Sequence, residues 1–192
     1  MASKRARFEK LAMPVVDALY RQAMKLTNDP DEMIELAREV RPDILHIAGD
    51  GYAADEAFAA RLKEAAPNTK LMQAVLVDDE SAVDRAKKYA QYCDLILTDS
   101  GLAPDTGIGA SGLTHDWSID ARIVAECGKP VIMAGGLGPD NVAEAIEQCK
   151  PYGVDSLTKT SIKYDGGYME KDIDKVRQFC INADAAAAKI GQ

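Results

Sequence analysis

Residues 130–142 read Pro130-Val131-Ile132-Met133-Ala134-Gly135-Gly136-Leu137-Gly138-Pro139-Asp140-Asn141-Val142. An apolar strand runs into a glycine turn, and the turn runs into a helix start. Gly135 and Gly136 carry no Cβ, so a ligand can approach their backbone closely. The helix that follows offers unpaired N–H groups and the positive end of its dipole, a combination that favours phosphate. A tight turn without a ligand would use the same glycines, so the local pattern leaves both readings open. What decides the fold is how often such a strand–turn–helix unit recurs.

Six short apolar runs occur, at residues 24–27, 44–48, 71–77, 95–98, 131–134 and 154–157, and their starts lie 20, 27, 24, 36 and 23 residues apart. Near-continuous apolar runs bounded by turn residues read as strands buried on both faces. Amphipathic helices fall between them. Asp29-Pro30-Asp31-Glu32 supplies an N-cap, a proline at the first helical position and early acids, and Met33, Leu36, Ala37 and Val40 share one face. Gly138-Pro139-Asp140 opens another helix, with Val142, Ala145, Ile146 and Cys149 on one face. Val83, Ala86 and Ala90 mark a third, and Ile119, Ile123, Val124 and Cys127 a fourth. Ile173, Val176 and Phe179 mark the last, while Phe58, Leu62 and Ala65 mark one after the run at 44–48.

This alternation is that of β-loop-α-loop units, which close into a barrel or form an open doubly wound sheet. The expectation is α/β, a TIM-type (β/α)8 barrel over residues 24–183 with about six units recognisable and the first two missing or replaced. Residues 1–23 read as a helical segment through Phe8, Leu11, Val15, Ala18 and Leu19, interrupted at Pro14. The alanine-rich residues 184–192 read as a frayed C-terminal tail.

The chain has 192 residues, 47% hydrophobic and 28% charged, the balance of a soluble globular protein. No apolar run approaches the roughly 18–20 residues of a membrane span. The N-terminus is basic but lacks the apolar stretch of a signal peptide. A net charge of −8 argues against nucleic acid or an anionic membrane as partner, yet leaves room for phosphate bound by local N–H groups. Cys93, Cys127, Cys149 and Cys180 match no zinc or iron–sulfur spacing and read as buried, reduced thiols of a cytoplasmic protein. No metal and no organic cofactor are implied.

Candidate site residues follow from the barrel. The strand after the glycine turn ends in Ser156-Leu157-Thr158-Lys159. Barrels often hold phosphate between the loops after the seventh and eighth strands. If these are those strands, Gly135, Gly136, Ser156 and Thr158 lie near one anion site, and Lys159 can add a charge. Asp99 stands at the C-terminal end of a buried strand, where these folds carry catalysis, and could act as a general acid. Residues 101–116 form a long glycine-rich segment of the length used for substrate-covering loops. Gly109, Ser111, Gly112 and His115 are its candidate substrate contacts. His46, within a strand, is a candidate pore-facing residue.

Leu97-Thr98-Asp99-Ser100, Gly109-Ala110-Ser111-Gly112-Leu113-Thr114-His115-Asp116-Trp117, Ala134-Gly135-Gly136-Leu137 and Pro151-Tyr152-Gly153-Val154-Asp155 occur in register. In this order and spacing they resemble phosphoribosylanthranilate isomerases, strongly after Asp94 and more weakly before it. The resemblance implies a cofactor-free Amadori rearrangement in tryptophan biosynthesis, in the cytoplasm, on a small phosphorylated metabolite. It makes Asp99 the general acid and puts the phosphate on the glycine pair and the start of the last loop. A homo-oligomer is compatible with this reading. The family's general base is a cysteine in an N-terminal Lys-Ile-Cys-Gly strand, which this sequence lacks. The chain thus reads as an N-terminally incomplete or divergent member with impaired turnover. The alternatives are another sugar-phosphate isomerase or epimerase, or a non-catalytic phosphate-binding barrel.

Overall fold

The computed structural model describes residues 29–48, 52–100, 115–164 and 169–191. The expected helix at 1–23, the strand at 24–27 and the loop residues Gly109, Ser111 and Gly112 lie outside the described residues.

Helix α1 spans Pro30–Val40 and begins as its sequence dictates: the Asp29 side chain accepts a hydrogen bond from Asp31 N, and Pro30 occupies the first turn. Then follow β1 (Ile44–Ile47), α2 (Glu56–Ala65), β2 (Lys70–Val77), α3 (Ser81–Tyr89) and β3 (Leu95–Ser100). After these come α4 (Trp117–Glu126), β4 (Val131–Met133), α5 (Val142–Cys149) and β5 (Gly153–Val154). A 3₁₀ turn (Thr158–Thr160) leads to β6 (Ser161–Lys163), β7 (Met169–Lys171) and α6 (Ile173–Ile190).

Strands β1 to β5 form one parallel sheet in strict chain order. That order bears out the expected barrel over the doubly wound sheet that the alternation alone also allowed. A doubly wound sheet reverses its strand order at a switch point. Here no reversal occurs, and right-handed crossovers therefore lay each helix on the same face. Successive helices accordingly pack as neighbours: α1 on α2, α3 on α4, α4 on α5 and α5 on α6. The described sheet is a run of consecutive units of a (β/α) barrel.

The helix-facing core joins Ile47, Leu71, Val75, Ile96 and Val131 of the sheet to Phe58, Leu62, Val83 and Ile123 of the helices. A second cluster seats Phe179 and Ala186 of α6 against Val142, Ala145 and Ile146 of α5. No helix among the described residues is long and apolar enough to cross a membrane.

Four details differ from the sequence reading. Residues 184–190 continue α6, because Ala186 is buried on α5 and Lys189 Nζ meets Glu147 Oε1 at 2.8 Å. The strand expected at 154–157 stops at Val154, where side-chain hydrogen bonds draw the chain into a turn. The antiparallel pair β6–β7 has no counterpart among the expected strands. Of the cysteines, Cys93, Cys127 and Cys149 are buried, but Cys180 is exposed on α6, so the buried reading fails there.

Ile123 is fully buried between α4 and the sheet. Ile123→Ala should cost roughly 2–5 kcal/mol of stability, read as a lower urea midpoint with an unchanged slope.

Candidate functional site

Parallel strands end on the same rim, and successive residues of a strand point to opposite faces. In β3, Ile96 joins the helix-side core, whereas Leu95 and Leu97 join Met72, Ala74 and Ala134 in a separate cluster on the other face. Asp99 follows Leu97 by two positions and so stands on that second face, at the rim. His46 pairs with Met72 across the sheet and shares the face. Asp155 lies two residues beyond Gly153, the partner of Ile132, and its N–H donates to Met133 O at 2.9 Å. The alternation puts Asp155 on the same side.

One small pocket collects these ends. Asp99 lines it together with Gly135, Gly136, Asp155, Ser156, Thr158 and Lys159. The acid and the anion cradle expected from sequence thus face one space. Gly135 and Gly136 adopt φ of +87° and +64°, a left-handed pair that side chains resist. The turn is fastened from below. Gly138 N donates to Asn141 Oδ1 at 2.8 Å, and Asn141 Nδ2 donates to Gly136 O at 3.1 Å. These bonds occupy residues 138–141, so α5 starts at Val142 and not at Pro139.

Ser156 joins the two turns, its hydroxyl donating to Leu137 O at 2.6 Å. Lys159 lies over Gly138, where a Cβ would come within 2.7 Å of the lysine Cβ. A larger cleft opens on the far side of Lys159, beside Pro139, Asp140 and Lys175. It contains neither Asp99 nor Asp155.

Burial pushes the pKa of Asp99 above its ordinary value, and the charge of Asp155 adds to the rise. The Ser100 N–H, 2.7 Å from Asp99 Oδ1, opposes it by stabilising the ionised form. His46 is shifted the other way: burial lowers its pKa and Asp155 partly restores it. Asp155 is therefore the charge that both groups sense. The sequence did carry a signal for it, a carboxylate at a strand end like that of Asp99. Reading the strand through to residue 157 hid that signal.

His115 is placed differently from the rest. Its ring is absent from the pocket lining and only 7% exposed, held between Ser100 and Asp120. Asp120 is fully buried and also accepts from the Thr98 hydroxyl. No cysteine lines the pocket, and burial lifts the Cys93 and Cys149 thiols to about 12.

Residues 5–182 match the family model described as N-(5'-phosphoribosyl)anthranilate (PRA) isomerase. The chain is similar to the N-(5'-phosphoribosyl)anthranilate isomerase of Haloferax volcanii, 39% identical over 160 residues that cover 83% of this chain and 66% of that protein. It therefore spans just under two thirds of the length of that relative. Among solved structures it is similar to phosphoribosyl anthranilate isomerase from Thermotoga maritima, with a TM-score of 0.63, 25% identity and coverage of 81% of this chain and 68% of the other. It has the same fold as a phosphoribosyl anthranilate isomerase bound to reduced 1-(o-carboxyphenylamino)-1-deoxyribulose 5-phosphate, with a TM-score of 0.60, 22% identity and coverage of 81% and 66%. With the acid, the glycine turn and the last loop gathered on one rim of a TIM-type barrel, the chain belongs to the N-(5'-phosphoribosyl)anthranilate isomerase family.

Proposed function

We propose that this chain acts on N-(5'-phosphoribosyl)anthranilate, isomerising it to the 1-deoxyribulose 5-phosphate product. The observation that carries the proposal is that Asp99 and the Gly135-Gly136 turn line one pocket. The left-handed glycine pair and the turn from Ser156 to Lys159 would hold the phosphate. The exposed ammonium of Lys159 adds charge without a rigid geometry.

Asp99 would act at the other end of the substrate. Opening the ribosyl ring breaks the bond between C1' and the ring oxygen, and that oxygen needs a proton. A carboxyl with a raised pKa still holds its proton where an ordinary aspartate has lost it. Asp155 takes part by keeping that proton in place. The second step removes a proton from C2' and returns one at C1', and it needs a base. None of Cys93, Cys127, Cys149 and Cys180 stands at the pocket.

The test is isomerisation followed by loss of substrate fluorescence, with analogue binding measured by calorimetry. Asp99→Asn should lower kcat by roughly 10²–10⁴-fold while affinity for the reduced 1-(o-carboxyphenylamino)-1-deoxyribulose 5-phosphate changes little. Equal turnover in parent and variant would remove the acid role, and binding without any turnover would make the chain a phosphate-binding relative. Lys159→Met should raise KM and leave kcat nearly unchanged.

The pH dependence has a fixed sign. Activity falls as pH rises through the pKa of Asp99, and Asp155→Asn should move that limb to lower pH because it removes a repelling charge. Stability follows the same shift. A carboxyl whose pKa is raised by folding contributes nothing below its unfolded value and subtracts stability as pH rises to its folded value. Asp99→Asn should thus melt higher than the parent at pH 7 and lose that advantage as pH falls toward 3.8.

A further inference from the structure

Behind the pocket, on the helix side of the sheet, four polar side chains connect into one buried chain. Thr98 donates its hydroxyl to one carboxylate oxygen of Asp120, and the other oxygen meets His115 Nε2. His115 Nδ1 lies 3.2 Å from Ser100 Oγ. Ser100 then presents its N–H to Asp99 Oδ1 at 2.7 Å. Thr98, Ser100 and Asp120 are almost wholly inaccessible, at 0%, 3% and 0%. Thr98 and Ser100 come from β3, Asp120 from α4 and His115 from the segment entering α4.

The same chain also touches the glycine turn. A Cβ on Gly135 would collide with Ser100 Oγ, and would lie 2.7 Å from Ser100 N and 3.0 Å from His115 Nδ1. Ser100 and His115 therefore fill the space that a side chain at Gly135 would take. One residue, Ser100, borders both the acid and the phosphate turn, and its hydroxyl is bonded to His115.

We propose that His115 and Asp120 are positioning residues of this site, holding Ser100 so that Asp99 and the Gly135 backbone keep a fixed relative placement. This goes beyond the isomerase reading and rests on it only for naming the substrate. Asp120 is the anchor. A buried carboxylate is tolerated where its oxygens are bonded, and here Thr98 and His115 take one oxygen each. In the tautomer that directs Nε2–H to Asp120, Nδ1 can accept a hydrogen bond from the Ser100 hydroxyl. Serine, histidine and aspartate are also the residues of nucleophilic triads. Ser100 is packed under Gly135 with no room for an electrophile at Oγ, so the arrangement serves placement and not attack.

The test avoids turnover and so separates this inference from the isomerase reading. Two quantities are measured: affinity for inorganic phosphate by calorimetry, and titration of the Asp99 carboxyl carbon by NMR. The groups acting on Asp99 are the Ser100 N–H, Asp155, His115 and Asp120. Ser100→Ala removes one hydroxyl and keeps the N–H. It should weaken phosphate binding several-fold and move the Asp99 titration to higher pH as the N–H loses its fixed direction. His115→Ala should do the same, and combining the two should add little. Asp120→Ala should weaken phosphate binding, whereas Asp120→Asn, which keeps the shape and an acceptor, should largely restore it.

Unchanged phosphate affinity and Asp99 titration in Ser100→Ala and His115→Ala, with only a lower melting temperature, would overturn the proposal. If the parent binds no phosphate, the cradle reading fails, and the Asp99 titration alone still decides whether the buried chain positions the acid.

Discussion

Strand β3 alternates, and the rest of the site depends on that alternation. Its odd-numbered residues Leu95, Leu97 and Asp99 face away from the helices, and its even-numbered residues Ile96, Thr98 and Ser100 face toward them. The first set ends in the acid. The second set ends in the hydroxyls that reach Asp120 and His115. A shift of one residue in the pairing of β3 with β2 or β4 would exchange the two sets. The acid would then be buried among helices and the serine exposed at the rim. Leu97 paired with Ala74 and with Ile132 holds the register from both sides.

The chain order of the strands supplies the second condition. Because β3, β4 and β5 are parallel neighbours, Asp99, Gly135 and Asp155 leave the sheet at one level. The turns there hold each other: Ser156 to Leu137, Asn141 to Gly136 and Gly138, and Ser100 against Gly135. The carboxylate of Asp155 then sets the charge of the space. It works against the ionisation of Asp99 and in favour of a proton on His46. Asp99, the glycine turn and Asp155 are thus brought together by neighbouring strand ends, with the buried chain of Thr98, Asp120, His115 and Ser100 behind them.

Much of this was legible in the sequence where a local rule acts alone. The Asp29-Pro30 start and the apolar runs at 44–48, 71–77, 95–98 and 131–134 are short-range features, and the first described helix and strands β1 to β4 fall where those features put them, within a residue or two. The β–α alternation by itself did not choose between barrel and open sheet, because that choice depends on strand order; the barrel expected from the sequence is the one found. Asp155 was masked by the apolar run before it, since the turn that ends β5 is made by a side-chain bond from Ser156 to a carbonyl in the preceding unit. Asp120 was hidden more deeply. It sits in the first turn of α4, where an acid suits the helix dipole, and nothing local reveals that it is fully buried. His115 read as a loop residue because its two partners, Ser100 and Asp120, belong to different elements. The hairpin β6–β7 escaped because Ser161–Lys163 and Met169–Lys171 are too short and too polar to show a strand pattern.

The central claim is that one small molecule spans the acid and the anion cradle. A crystal structure of the chain with reduced 1-(o-carboxyphenylamino)-1-deoxyribulose 5-phosphate tests it most directly. The account predicts the phosphate on the backbone of Gly135 and Gly136 and the turn from Ser156 to Lys159, with the Asp99 carboxyl within hydrogen-bond reach of the ribulose moiety. A phosphate seated in the cleft beyond Lys159, with Asp99 touching no part of the ligand, would contradict it.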